Sequence, residues 1–337
     1  MLKKLSLTAL IAISAISVLN ATPVTEVIKN ADLSGYLKLR FDHNTEKRNE
    51  WDTEGTFKIE VPVNEELKLR TDYNFEGNIK SNGTVLNSWL GNSKLFLKYN
   101  RDQLNVIFGK IPVNTPITDS DTGTGFVATY KVIDNLTIAT AFLDTLDRSG
   151  DDTIALGAIY EIDKLNSEAW FFTQPNETIK SNIVVRGSYE INNIKINGDI
   201  AVAKLEGNSN TQSYFNVSAE GDIEMFNIMV GFAKTGEDGG TVVLNKDAPI
   251  SAVLPTKQID SIANNADASA FYAKAGSNLD DKTNIYGAFA KTSIGNNDNT
   301  EIVFGGSYKY NKKMKLSAYY SIIDDNKQLR FEAKYSF

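Results

Sequence analysis

One histidine and no cysteine bound the chemistry open to this 337-residue chain. Without Cys there is no disulfide framework, no thiolate zinc site and no Cys nucleophile. A Ser-His-Asp hydrolase would need His43 as its base. That residue sits among Asp42, Asn44, Thr45, Glu46 and Lys47, a composition expected of a solvated loop tip. The sequence therefore predicts no enzyme. A formal charge of −7 argues against nucleic acid as a partner.

Two other sets of residues could do physical work. One is a series of acids, Asp119, Asp121, Asp144, Asp147, Asp151 and Asp152, whose oxygens suit a hard cation such as Ca²⁺. The other is a set of charges spaced two apart. Lys38 and Arg40, Lys58 and Glu60, Lys68, Arg70 and Asp72, and Arg330, Glu332 and Lys334 alternate with apolar residues. Lys98, Arg186, Glu190, Lys195 and Asp199 fall in similar surroundings. A period of two places alternate residues on opposite faces of a strand.

The elements that carry these charges are legible from end to end. Leu329, Phe331, Ala333, Tyr335 and Phe337 form one face, and Gln328, Arg330, Glu332, Lys334 and Ser336 the other. Met314 to Ile322, Gly35 to Phe41 and Leu67 to Phe75 repeat the pattern. Similar segments, the first over 31–41 and the last over 327–337, predict about 18 strands. Each is near the 9–11 residues that a tilted strand needs to cross a bilayer.

A soluble sandwich alternates as well, but two features favour a transmembrane barrel. Every other connector is tiny, as at 63–65, 101–102, 134, 163–166, 192 and 311–312, while those between are longer, at 42–52, 77–91, 112–123 and 236–266. Short periplasmic turns and longer outer loops are the pattern of outer-membrane barrels. In addition Tyr99, Tyr130, Tyr160, Tyr189, Tyr308, Tyr310 and Tyr335 recur outward near the short-turn ends. Tyrosine favours the membrane–water interface, with its ring half buried and its hydroxyl wet. The fold class expected is thus all-β, a transmembrane antiparallel β-barrel.

The first 21 residues, MLKKLSLTALIAISAISVLNA, read as a cleaved secretory signal peptide, with Lys3 and Lys4 before an apolar run from Leu5 to Leu19. The barrel domain then covers 22–337. Removing Lys3 and Lys4 leaves 33 basic against 42 acidic side chains, a formal −9.

Three blocks resemble the major outer-membrane porins of Campylobacter and related epsilonproteobacteria. The first is Ala21-Thr-Pro-Val-Thr-Glu-Val-Ile-Lys-Asn-Ala-Asp-Leu-Ser-Gly-Tyr36. The second runs from Val106-Ile-Phe-Gly-Lys110 through Thr118-Asp-Ser-Asp121 and Gly123-Thr-Gly125 to Leu136–Asp144. The third is Lys315–Ser321 with the Tyr335-Ser-Phe337 end. The resemblance implies an 18-stranded homotrimeric porin that requires no cofactor and offers a candidate structural calcium site at Asp121 and Asp144. It also makes the stretch between Lys110 and Phe126, whose prolines and glycines read as a loop, the pore constriction. Asn114, Thr118, Asp119 and Asp121 would supply its loop side. Lys38, Arg40, Lys68, Arg70, Arg186 and Arg330 would supply the wall, with the loop acids facing Arg40 and Arg70.

The expected function is passive diffusion of ions and small hydrophilic solutes, with weak cation selectivity. Partners would be outer-membrane lipid and lipopolysaccharide, two further copies of the chain, and the barrel-assembly machinery, which reads Tyr335 and Phe337. The rival is an adhesin or surface structural barrel using Gly236–Ala266, with Val242, Val243, Leu244 and Ile250. A plugged, energy-coupled transporter would need more strands and a plug, for which the chain leaves no room.

Overall fold

A computed structural model describes residues 30–45, 49–80, 85–146, 152–174, 179–207, 210–243 and 247–337, without the side chains of 78–80, 85–92, 120 and 121. The signal peptide expected over 1–21 lies outside the described residues, and so do Asp147 and Asp151.

Among the described residues every regular element is a strand. The first six are β1 (Asp32–Asn44), β2 (Glu50–Pro62), β3 (Leu67–Lys80), β4 (Val85–Arg101), β5 (Leu104–Thr115) and β6 (Thr118–Ile133). Then come β7 (Leu136–Leu146), β8 (Thr153–Ile162), β9 (Leu165–Thr173), β10 (Ile179–Ile191), β11 (Ile194–Leu205) and β12 (Thr211–Ile223). The last six are β13 (Phe226–Thr235), β14 (Ala268–Asn278), β15 (Thr283–Ile294), β16 (Asn297–Lys309), β17 (Met314–Ile323) and β18 (Asn326–Ser336). Each strand pairs antiparallel with the next, and β18 returns to β1 in register from Tyr36↔Ser336 to Asn44↔Gln328. The sheet is a closed 18-stranded barrel, so no edge is left unpaired.

The alternation decides which side faces lipid. Leu37, Leu39 and Phe331 are 41%, 43% and 51% exposed, although a soluble sandwich would bury one such face. Their neighbours Lys38, Arg40 and Glu332 point inward and pair with one another's strands. Two-residue turns close the short rim, with Asp102, Asp163 and Asn192 at φ 49°, 45° and 55°. Asp and Asn enter that left-handed region more readily than other non-glycine residues.

The connector reading needs one correction. Three of the four loops taken as long are shortened because the flanking strands keep pairing toward their ends. β1 and β2 pair out to Asp42↔Glu50, β3 and β4 to Ile79↔Val85, and β5 and β6 to Thr115↔Thr118. Among the described residues, only the segment between β13 and β14 is long and largely without strand.

Glycines and aromatic rings are matched across the sheet. Gly55 faces Phe75, Gly157 faces Trp170, Gly231 faces Tyr272 and Gly305 faces Tyr286, each as a direct cross-strand pair. A Cβ at any of these glycines would lie 2.2–2.8 Å from the ring opposite. The ring fills the room that the glycine leaves. Three of the four pairs point inward and shape the lumen wall.

Candidate functional site

Eighteen strands enclose more space than their own side chains fill. The lumen is occupied unevenly, and the sequence determines how. Gly109 on β5 and Gly125 on β6 are direct partners with φ of +121° and +153°. A Cβ at either would meet a backbone oxygen, Leu95 O at 2.6 Å or Phe142 O at 2.1 Å. Only glycine fits both the space and the dihedral. Beyond this pair, Ile111 and Val113 turn onto Phe96, Leu143 and Leu146, all buried. The tip is Pro116–Ile117, and the Thr118 hydroxyl accepts the Thr115 N–H at 2.9 Å. Residues 111–125 are therefore a β-hairpin bent into the barrel, where the sequence suggested an irregular loop. The prolines mislead because Pro112 sits where β5 needs no further ladder donor inward and Pro116 sits in the turn itself.

The hairpin does not close the lumen alone. Residues 236–243 and 247–267 run inside the barrel and cover the hairpin tip. Ile250 donates its N–H to Pro116 O at 3.1 Å, and Ile117, Ile250, Ile262 and Ala263 are fully buried together. This core rests on inward alanines of β7–β15, among them Ala139, Ala141, Ala155, Ala201, Ala233, Ala270 and Ala290. Small residues on that half of the wall leave the thickness that the segment occupies.

Polar bonds fix the segment at two places. At one end Asn182 on β10 donates to Val242 O at 2.9 Å and accepts from the Thr241 hydroxyl at 3.2 Å. At the other, Glu301 on β16 is 0% exposed. Its carboxylate accepts backbone N–H groups from Lys257 at 2.9 Å, Gln258 at 3.0 Å and Ile259 at 2.6 Å. The Ser321 hydroxyl on β17 donates a further bond at 2.6 Å. Charge-assisted bonds of this kind are about twice as strong as neutral ones. Lys257 then reaches the lumen over the Tyr319 ring, 5.8 Å from its centroid. Burial there, and next the Lys274 cation, pull its ammonium below the ordinary lysine value.

The opposite half of the wall, β1–β4 with β17 and β18, is charged and wet. Lys38 lies 2.9 Å from Glu54, Arg40 lies 3.4 Å from Glu332, and Lys68 lies 3.0 Å from Glu60. Arg70 holds Asp72 at 2.8 Å, and Arg330 holds Asp42 at 2.5 and 2.8 Å. On β10, Arg186 holds Asp199 at 2.6 Å, and Asn216 supports the same carboxylate at 2.8 Å. Among the described side chains, which exclude that of Asp121, Arg40 and Arg70 have wall acids as their ion-pair partners.

Of the remaining expected residues, Asn114 and Asp119 are exposed on either side of the buried tip, and Thr118 is buried within it. The side chain of Asp121 lies outside the described residues; its backbone pairs with Val113. Asp144 is exposed on the outward face of β7, away from the lumen. No three His, Asp or Glu side chains gather around a metal-sized space among the described residues. His43 is also on an outward face, with Nδ1 2.5 Å from Asn49 Oδ1. Gly35 and Gly55, which alternate onto the outward face, are covered by rings of this chain, Phe337 and Phe75. Glu54, Asn182, Lys257 and Glu301 were not singled out from the sequence. The available signal was the run of inward alanines, which needs something apolar inside the barrel to bury it.

A model of the Campylobacter major outer membrane protein family matches residues 1–169. No curated protein matches the chain. Solved outer-membrane channels superimpose over almost the whole barrel. Pseudomonas aeruginosa OccD3 (OpdP) does so at a TM-score of 0.73 and 12% identity, covering 94% of this chain and 93% of that one. Pseudomonas aeruginosa OpdK, solved with vanillate, gives 0.74 and 11%, covering 92% and 99%. Acinetobacter baumannii OccAB4 gives 0.72 and 9%, covering 91% and 98%. At these identities the likeness is one of fold.

Proposed function

Because the chain belongs to the Campylobacter major outer membrane protein family, porins of the Gram-negative outer membrane, we propose that it forms a homotrimeric, water-filled channel. Ions and small hydrophilic solutes pass through it by passive diffusion. One observation carries this reading: the charged wall of β1–β4 and β18 is lined by paired, partly solvated side chains. There Lys38, Arg40, Arg70 and Arg330 are held by acids at hydrogen-bonding distance. Paired, partly solvated charges of this kind suit a polar pathway that presents fields more than specific bonds.

The channel is weakly cation-selective in this proposal. The negative total charge and the exposed Asp119 at the hairpin tip support that direction. The barrel-assembly machinery inserts the chain through the Tyr335–Phe337 end, and lipid with lipopolysaccharide surrounds the outward face.

Of the apolar residues in the longest loop, Ile250 and Ile262 are at 0% exposure and Leu254 at 5%, which favours the channel over an adhesin displaying them. Reconstitution into planar bilayers tests the proposal. Stable open steps in KCl are expected, and a protein that inserts without conducting refutes it.

A further inference from the structure

Most inward bases of this barrel sit on an acid, but one row does not. The strand registers place Lys309 of β16 directly opposite Lys315 of β17, Lys315 opposite Lys334 of β18, and Lys334 opposite Lys38 of β1. All four alternate with outward apolar or aromatic residues, so all four face the lumen. Directly opposed residues have Cβ atoms about 4.5–5.5 Å apart, and like charges there repel. Only Lys38 has a carboxylate, Glu54 at 2.9 Å. Lys334 lies over the Tyr36 ring, 4.4 Å from its centroid. Among the described residues, no acid comes within 4.0 Å of Lys309, Lys315 or Lys334.

The row is continuous with a cavity beneath the inner segment. Lys315 lines that cavity together with Lys257, Lys274, Tyr286, Tyr319, Arg330 and one acid, Glu332, which Arg40 already holds at 3.4 Å. Lys274 is 5.3 Å from the Tyr286 ring centroid and, like Lys257, has no ion-pair partner among the described residues. Cations therefore run from the constricting segment to the short-turn mouth, with two tyrosine rings between them. Unpaired ammonium groups on neighbouring strands are costly unless a mobile anion shares the space.

We propose that this row binds the anionic group, carboxylate or phosphate, of a solute in transit on the periplasmic side of the constriction. The inference rests on the channel reading above and adds a station to it. It coexists with a weak cation preference set at the outer side, because charges farther apart than the Debye length, about 10 Å at 0.1 M salt, act separately.

The test is K⁺ current through the reconstituted protein in 0.1 M KCl, with succinate or inorganic phosphate added on the short-turn side. Both should reduce the wild-type current in a concentration-dependent way. Lys315→Gln with Lys334→Gln should weaken that block at least about tenfold, a change of about 1.4 kcal/mol shared by the two lost charges. Both lysines are water-facing, so the double variant should keep its conductance in 1 M KCl, which reports an intact barrel. Block by succinate alone would define a carboxylate site, and block by both a general anion site; either supports the proposal if the double variant loses it. An open wild-type channel that neither anion blocks, or equal block in the variant, overturns this inference and leaves the channel reading standing. A wild type with no open steps overturns both.

Discussion

Ile259 gives its backbone N–H to Glu301 at 2.6 Å, which ties the inner segment to the barrel wall from a strand more than forty residues away. Three successive N–H groups end on this one buried carboxylate. Nothing else in the wall offers a negative charge to that stretch at bonding distance among the described residues. Glu301 positions the segment, and the segment sets how much of the lumen is open.

Glu301→Ala should therefore loosen the segment without opening the barrel. Leaving buried donors unpaired costs about 1–3 kcal/mol each, though lumen water will recover part of that. The expected result is added current noise and a higher mean conductance in single-channel records. Glu301→Gln keeps an acceptor and should show a smaller effect. Records of Glu301→Ala that match the wild type would show that the polar clamp does not hold the segment.

The bend of the β5–β6 hairpin makes a second, independent prediction. Gly125→Ala places a Cβ 2.1 Å from Phe142 O at a dihedral that alanine rarely adopts. Strain of this kind costs about 1–3 kcal/mol. The unfolding temperature of the purified barrel, read from heat-modified gel mobility, should fall. Gly198→Ala, which meets nothing within 4 Å, should leave it nearly unchanged. Equal unfolding temperatures for the two variants would remove the case for a strained bend.

These two features mark where reading the sequence stops. The 18 strands were legible because each pairs locally with its neighbour, and because Leu37/Lys38 or Phe331/Glu332 alternate without interruption. The inward face was legible for the same reason. What occupies the lumen was not. Asp119 and Arg70 are separated by many residues, and the choice of Asp72 over Asp119 as the arginine's partner depends on three-dimensional packing. The segment 236–267 has no period to read. Its apolar residues looked like a display surface because their burial partners, alanines on β7–β15, are spread over more than 150 positions. Glu301 looked like one more alternating charge. The hairpin was hidden by Pro112 and Pro116, which interrupt the alternation at the two places where the chain bends and turns.

The seam of the barrel predicts how the last residue acts. Phe337 and Gly35 exchange backbone bonds, with N···O distances of 3.0 and 3.1 Å. The Phe337 ring packs 5.5 Å from Phe57 and 6.3 Å from Tyr335. Phe337→Ala keeps the backbone bonds and removes the ring that covers Gly35. Deleting a large aromatic side chain costs about 3–5 kcal/mol in a core and less at a lipid-facing seam. The amount of folded protein in the outer membrane should drop. Normal levels in the mutant would show that closure does not depend on this ring.

The oligomeric state is checked by cross-linking native membranes. A ladder ending at three copies is expected. The contact need not use Gly35 or Gly55, which are covered from within. An outward depression lined by Gly306, Ala318 and Ala333, and rimmed by Leu39, Leu316, Tyr308 and Phe331, lies on the same side of the barrel. Cross-linking that yields monomer alone would refute the trimer.

Ion selectivity brings the wall and the hairpin into one argument. The sequence offered an excess of inward bases, which would favour anions and oppose the loop acids. The structure places further acids on that wall: Asp42, Glu54 and Glu168 each lie within 4.0 Å of an inward arginine or lysine. Their charges largely cancel around Arg40, Arg186 and Arg330, while among the described residues Lys309, Lys315 and Lys334 stay unpaired toward the short-turn mouth, so the opposing effect shrinks only around those arginines. Asp119, exposed beside the tip, then weighs more than its number suggests, because permeation is decided where an ion passes closest to fixed charge. Asp119→Asn with Asp121→Asn should move the reversal potential in a KCl gradient toward anions. Exposed charges contribute about 0.2–1 kcal/mol each, so the permeability ratio should change by roughly two- to fivefold at low salt. Near 1 M KCl, where the Debye length is about 3 Å, the difference should disappear. An unchanged reversal potential at low salt would show that the hairpin tip does not line the narrowest point, and that the segment around Lys257 governs selectivity instead.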